Sequence, residues 1–162
     1  MTEDQPWYQT IVFPALLRHA RSSYGKAMRA ALAEIDCDDM PKNGMWVIGG
    51  LALGAADGGG DAVPLGALVR DLGVSKQAAG QLVDTLVLRG YLERAVDPQD
   101  RRKLTLSLTP RGQAAAAAQR AARERIDAEL LARMGDKRMK ATRATLAALI
   151  EIGRQDDDDG DH

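Results

Sequence analysis

Two short stretches of this sequence carry side chains whose types and spacing suit contact with a nucleic acid. The first is SKQAAGQ, residues 75–81. If Ser75 opens a helix, then Lys76, Gln77, Gly80 and Gln81 face outward from its first turns. Gln can form two hydrogen bonds with adenine and Lys can donate to guanine. A helix N-terminus with a serine beside it also suits a phosphate. The second stretch is DPQDRRK, residues 97–103. Arg101 and Arg102 stand in a charge run at an exposed tip, and an arginine there can enter a narrow, electronegative minor groove. Asp97 and Asp100 would repel phosphate if left free, so they are expected to brace neighbouring arginines, Arg94 or Arg101. Pro98 stiffens the tip. Arg70 and Lys103 are placed to add contacts to the DNA backbone, which give affinity and salt dependence without sequence information. The bland alternative is a solvated helix and a hairpin turn with a local Asp–Arg pair.

These residues act together only if the elements around them hold them on one surface. From Pro64 onward, Leu65, Leu68, Val69 and Leu72 form one apolar stripe that Gly73 breaks. Ser75 then caps a second helix with Ala79, Leu82, Val83, Leu86 and Val87 on its buried side, ending at Gly90. Two short helices joined by a glycine turn are the pattern of a helix-turn-helix. YLERAV and KLTLSLT read as paired strands, with Leu104, Leu106 and Leu108 facing the core and DPQDRR as the connecting tip. A helix-turn-helix followed by a hairpin is a winged helix. AVP, residues 62–64, can hold only a very short strand.

Outside this segment the periodicity is helical. A helix is predicted from about Pro14 to Ile35, stopping in DCDDMP, and another from about Lys42 to Ala55. DGGGD, residues 57–61, reads as a loop. Thr109 caps a long helix with Pro110 in its first turn. Ala118, Ala122, Ile126, Leu130 and Met134 recur along it, and GD at 135–136 interrupts it. A last helix carries Met139, Leu146, Leu149 and Ile150 and is predicted to end near Gly153. The first and last helices are more apolar than a small wing domain can cover, so they are expected to pair with a second copy. Ile11, Phe13, Leu16, Leu146, Leu149 and Ile150 are the candidate interface residues. The fold class is therefore mainly α (α+β): a winged helix-turn-helix over 42–109, with the helices of 10–38 and 110–153 forming a homodimerisation domain. An acidic, disordered tail is expected over 154–162.

The stretch VSKQAAGQLVDTLVLRGYLERAVDPQDRRKLTLSLTPRG, residues 74–112, resembles the core of the MarR (multiple antibiotic resistance regulator) family. Leu86, Gly90, Tyr91, Arg94, DPQDRR and LTPRG carry the resemblance. The family's wing follows Asp-x-Arg-Asp-x-Arg; here Asp97, Asp100 and Arg102 fit and Gln99 replaces the middle arginine. The resemblance extends in helix order over about residues 10–153. It implies an obligate homodimer, triangular in outline, with intertwined terminal helices. It singles out Arg102 at the wing tip. It also implies release of DNA on binding a small molecule or on oxidation of a cysteine, with an effector pocket between the dimer helices and the wing domain. Trp7, Tyr8, His19, Tyr24, Met45 and Trp46 are the candidates to line that pocket, against the plainer reading that they are dimer core.

Composition sets the remaining bounds. The chain has 162 residues, 45% hydrophobic but only 4% aromatic, which favours helices packed through small and aliphatic side chains. The net charge of −1 hides a segregated distribution. The last eight residues hold five acids, and removing those moves the balance from −1 to +4. The lone Cys37 allows no intrachain disulfide. Its neighbours Asp36, Asp38 and Asp39 argue for an inert thiol over a redox sensor. Two histidines and one cysteine give no metal-ligand spacing, so no metal or cofactor is expected. No nucleophile triad, carboxylate pair or phosphate loop is present; GAADGGGD lacks the following Lys-Ser/Thr. The longest uncharged stretch, residues 43–56, is too short for a membrane helix, and no leader opens the chain. The expectation is a cytoplasmic, non-enzymatic, dimeric regulator, a repressor that binds a near-palindromic operator in double-stranded DNA and responds to a small aromatic or drug-like effector. The alternative is a winged-helix module for nonspecific DNA or protein binding with no effector response.

Overall fold

The computed structural model describes residues 6–56, 62–64, 75–96 and 104–159, with side chains over 6–53, 75–96 and 105–153. Its elements are a single 3-10 turn (Trp7–Gln9), α1 (Phe13–Ala33), α2 (Gly44–Ala56), β1 (Ala62–Pro64), α3 (Lys76–Leu88), β2 (Leu92–Val96), β3 (Leu104–Leu108), α4 (Pro110–Met134) and α5 (Asp136–Asp159). The chain divides into two compact units, Met1–Arg123 and Glu124–His162. The stripe anticipated over 65–72 lies outside the described residues.

In the first unit, the helix ends are set by left-handed closures. Asp36 takes φ +55° and the Cys37 N–H reaches back to the Leu32 carbonyl at 2.9 Å. α1 therefore stops at Ala33, two residues before the predicted Ile35, because Asp tolerates the left-handed region and ends the helix before Pro41 can. Gly90, at φ +74°, closes α3 in the same way, with the Tyr91 N–H bonded to the Leu86 carbonyl at 2.9 Å. At its other end the Ser75 hydroxyl accepts from the Ala78 N–H at 3.2 Å.

The sheet has three antiparallel strands in the order β1-β3-β2. Val63 pairs with Leu106, and Arg94 pairs with the same Leu106 from the other side. β3 is thus the central strand, and the short β1 covers its second edge. Leu106 is buried and Leu108 is half-buried against the core; the Leu104 side chain lies outside the described ones. The core joins Met28 and Leu32 of α1, Met45 and Ile48 of α2, Val83 and Leu86 of α3, Tyr91, Leu92 and Leu106. Cys37 lies within it, 2% exposed.

α4 starts where the Thr109 hydroxyl accepts from the Gly112 N–H at 3.0 Å and donates to the Gly90 carbonyl at 2.5 Å. Its buried face is Gly112, Ala115, Ala116, Gln119 and Ala122, so small residues admit close packing. Gln119 is fully buried, and its amide has no hydrogen-bond partner among the described residues.

The second unit holds the last turns of α4 and all of α5. Gly135, at φ +78°, ends α4. Arg133 pairs with Glu129, and Lys140 with Asp136 at 2.6 Å, both four residues apart. α5 runs on to Asp159 and does not stop near Gly153. Gly153 takes no positive φ, so it supplies no left-handed closure, and the helix continues into the stretch anticipated as a disordered tail. Residues 160–162 lie outside the described ones.

Candidate nucleic-acid interface

The first turns of α3 carry little of the unit's packing. Its buried residues are Ala79, Val83 and Leu86, which leaves Ser75, Lys76, Gln77 and Gln81 exposed and Gly80 half-buried on the outer side. The Ser75 cap satisfies one N–H of the first turn and fixes where that turn begins. A Cβ added at Gly80 would have nothing within 4 Å, so the backbone here is open to close approach. Five of the anticipated contact residues therefore share one helical end. Arg70, Arg101, Arg102 and Lys103 lie outside the described residues.

The wing strands are tied to the same helix. Arg94 of β2 pairs with Asp84 of α3, a carboxylate that sequence reasoning passed over in favour of Asp97 and Asp100, which lie outside the described residues. The two partners are ten residues apart across the Gly90 closure, a distance no helical or strand periodicity reports. Thr105 donates to the Ala95 carbonyl at 3.3 Å and Ser107 to Glu93 at 3.1 Å, which adds cross-strand polar pairs on the hairpin.

A second network, also absent from the sequence reading, fixes the rear of α3. Arg111 donates to the Asp39 carboxylate at 3.0 Å, to the Asp36 carbonyl at 3.0 Å and to the Arg89 carbonyl at 2.5 Å. Its guanidinium lies 4.3 Å over the Tyr91 ring. The Tyr91 hydroxyl donates to Asp39, and Arg89 donates to the Asp39 carbonyl. The Tyr91 hydrogen bond, joined by the Arg111 hydrogen bond and charge and by the Arg89 charge, holds the Asp39 carboxyl below its ordinary range against the opposing effect of burial. Burial and then the bond to Asp39 push the Tyr91 phenol upward, so it stays a donor. This clasp ties the loop before α2, the end of α3, the start of β2 and the start of α4 together.

The six aromatic, Met and His residues considered for an effector pocket lie on the N-terminal turn, α1 and α2. Trp7 and Tyr8 stack edge to face on the N-terminal turn, 69% and 51% exposed. His19 is exposed on α1 and Tyr24 is half-buried against the core. Met45 and Trp46 line a common groove, of about 400 Å³, beside Arg18, Arg21, Arg29 and Lys42. A larger groove of about 520 Å³ runs between α2, the wing strands and α4, past Leu53, Glu93, Leu108, Ala116, Arg120 and Arg123. Of the interface candidates, Phe13, Leu149 and Ile150 are exposed, and Ile11, Leu16 and Leu146 are half-buried. Among the described residues no group of three His, Cys, Asp or Glu could hold a metal ion. No described helix is long and apolar enough to cross a membrane.

A helix with a capped, bare N-terminal end, backed by a three-stranded sheet whose hairpin is pinned to that helix, defines a winged helix protein. Residues 51–103 match the model of the MarR family. The fold is shared with the MepR–DNA complex of S. aureus (17% identity, TM-score 0.68, 87% of this chain and 98% of that one). MepR bound to ethidium bromide superposes with a TM-score of 0.56 at 16% identity, over 87% of this chain and 96% of that one. Wild-type MarR from E. coli in its apo form is similar at 18% identity and TM-score 0.60, over 86% and 97% of the two chains. A probable transcriptional regulator from Pseudomonas aeruginosa is 26% identical, with TM-score 0.59 over 85% and 96%. No curated protein sequence matches the chain.

Proposed function

We propose that this chain is a sequence-specific regulator of transcription that binds double-stranded DNA as a homodimer and represses until a small-molecule effector lowers its DNA affinity. The observation that carries the reading is the outer end of α3. Ser75, Lys76, Gln77 and Gln81 are exposed there on a capped helix start, with the wing strands pinned to the same helix through Asp84 and Arg94. Lys76, Gln77 and Gln81 read base edges in the major groove, and the backbone at Gly80 approaches the duplex closely. Arg102, with Arg101, enters the minor groove, while Arg70 and Lys103 contact phosphates. Two such ends, one from each protomer, meet half-sites about 10 base pairs apart.

Pairing of two copies is supported by large apolar side chains left in solvent on the terminal helices, among them Phe13, Leu149, Ile150 and Ile152. The effector reading is supported by the groove beside the wing strands and by the likeness to MepR, which is seen both with DNA and with ethidium bromide. Footprinting on promoter DNA tests the proposal: one protected near-palindrome, lost in Arg102→Ala, is expected. Weak and equal binding to all duplexes would refute sequence-specific regulation and leave the nonspecific module.

A further inference from the structure

The groove between α1 and the start of α2 has a composition that neither the recognition surface nor the wing groove shares. Arg18, Ser22, Gly25 and Arg29 recur at four-, three- and four-residue spacing, so they form one stripe along α1. Arg21 flanks that stripe, and Lys42 and Asn43 close the groove from the segment leading into α2. We propose that this groove binds a compact oxyanion carrying two or more negative charges, a pyrophosphate or polycarboxylate group of a small metabolite.

Four cations line a space of about 400 Å³, and no Asp or Glu among the described residues lines it with them. None of Arg18, Arg21, Arg29 and Lys42 has a carboxylate within ion-pair distance among the described residues. Like charges gathered in one concavity repel, and a single negative charge would leave most of that repulsion in place. The positive end of the 13-residue α2 adds to the same field.

The cations are also positioned. The Arg21 guanidinium lies 4.4 Å over the Trp46 ring. Stacking fixes its plane and leaves the N–H edge, the part that grips an oxyanion, for a ligand. Gly25 is buried, and a Cβ there would meet Arg29 Nη1 at 3.6 Å. The Arg29 guanidinium therefore folds back across the glycine that forms the groove floor. Phe13 and Leu16, candidates for pairing with a second copy, lie roughly 140–160° round α1 from Arg18, so the stripe does not share their face.

Duplex DNA is the competing occupant, and the geometry disfavours it. A Cβ on Gly44 would sit 2.9 Å from Leu86 Cδ2, so the start of α2 abuts α3 near its C-terminal end. From Ser75 to Leu86 is about 16 Å along the helix. A recognition helix meets DNA with its N-terminal turns, which places this groove behind the contact end.

Isothermal titration of the full-length chain with pyrophosphate and with citrate, against sodium chloride at matched ionic strength, tests the proposal without using DNA binding as the readout. Failure here is thus distinguishable from failure of the regulator reading. One saturable site per chain is expected, for one of the two anions or both. Arg21→Gln and Arg29→Gln should each weaken it about tenfold or more, the loss of a charge-assisted hydrogen bond. Arg138→Gln, on α5, should leave it unchanged. Both groove arginines are exposed, so the variants should keep the wild-type melting temperature. Equal affinity in all variants, no binding beyond that of chloride, or one-for-one displacement of pyrophosphate by random-sequence duplex would each overturn the proposal.

Discussion

Replacing Gly112 by alanine should destabilise this protein, although helix propensity alone argues the reverse. Gly112 lies in the first turn of α4, where alanine gains up to about 1 kcal/mol over glycine. The structure reverses the sign. A Cβ at Gly112 would stand 2.1 Å from the Tyr91 carbonyl oxygen and 3.2 Å from Leu108 Cδ2. Cβ atoms essentially never approach within 3.0 Å, so backbone must move by about 0.9 Å. The Tyr91 carbonyl is not free to yield. It accepts from the Thr109 N–H at 3.1 Å, while the Tyr91 N–H is held by Leu86 at 2.9 Å. Overpacking of this kind costs about 1–3 kcal/mol, and a weakened backbone bond adds about 1 kcal/mol. After the propensity gain, a net loss of about 1–3 kcal/mol remains, or a melting temperature lower by about 2–12 °C for a chain of this size. Gly80→Ala is the matched control, because a Cβ there meets nothing within 4 Å; it should stabilise by about 0.5–1 kcal/mol. Thermal and urea unfolding of both variants at one fixed protomer concentration gives the answer. A Gly112→Ala protein as stable as wild type would refute the reasoning.

Three further outcomes follow from the site. Gln81→Ala should weaken binding at cognate sequence by about 1–3 kcal/mol and little elsewhere, whereas Lys103→Ala should weaken all sequences alike and lower the salt slope by about 1; equal losses from both in a binding titration would contradict this division. Arg94 and Asp84 have side chains 39% and 64% exposed, so a double-mutant cycle should find coupling below about 1 kcal/mol, while Arg94→Ala should still loosen the wing and weaken DNA binding. Asp39 has a folded pKa below its unfolded one. Its contribution is therefore fully present above about pH 4 and lost as pH falls through the lower folded value. Acid unfolding of Asp39→Asn should accordingly show a shallower loss of stability than wild type below about pH 4.

The sequence carried the winged helix because its local codes agree there. Ser75 caps, Gly90 closes, the hairpin alternates and Thr109-Pro110 opens the long helix. Each of these is a short-range instruction, and the structure obeys each one. The residues that lock those elements together were not legible. Asp84 and Arg94 are ten residues apart across a turn, and Asp39 and Arg111 come from different ends of the unit, so neither pair leaves a period in the chain. Along α4 the recurring Ala118, Ala122, Ile126, Leu130 and Met134 mark the helix, while its buried face is Gly112, Ala115, Ala116, Gln119 and Ala122, because close approach rewards small volume over hydrophobicity. The six residues proposed to share a pocket sit on three elements, and aromatic character says nothing of which helix face a residue occupies.

The Asp39 clasp has a consequence for the order of folding. Its bonds join residues separated by 50, 52, 72 and 75 positions. Loops of that length must close before any of these bonds forms, and the entropic cost of closure falls before the reward. The clasp is thus a late event that seals a unit already collapsed around Leu86 and Leu106. Contacts made after the transition state govern how long the folded protein lasts more than how fast it arises. Breaking Asp39 or Arg111 should therefore leave the refolding rate nearly unchanged and speed unfolding, so the clasp sets the lifetime of the folded unit.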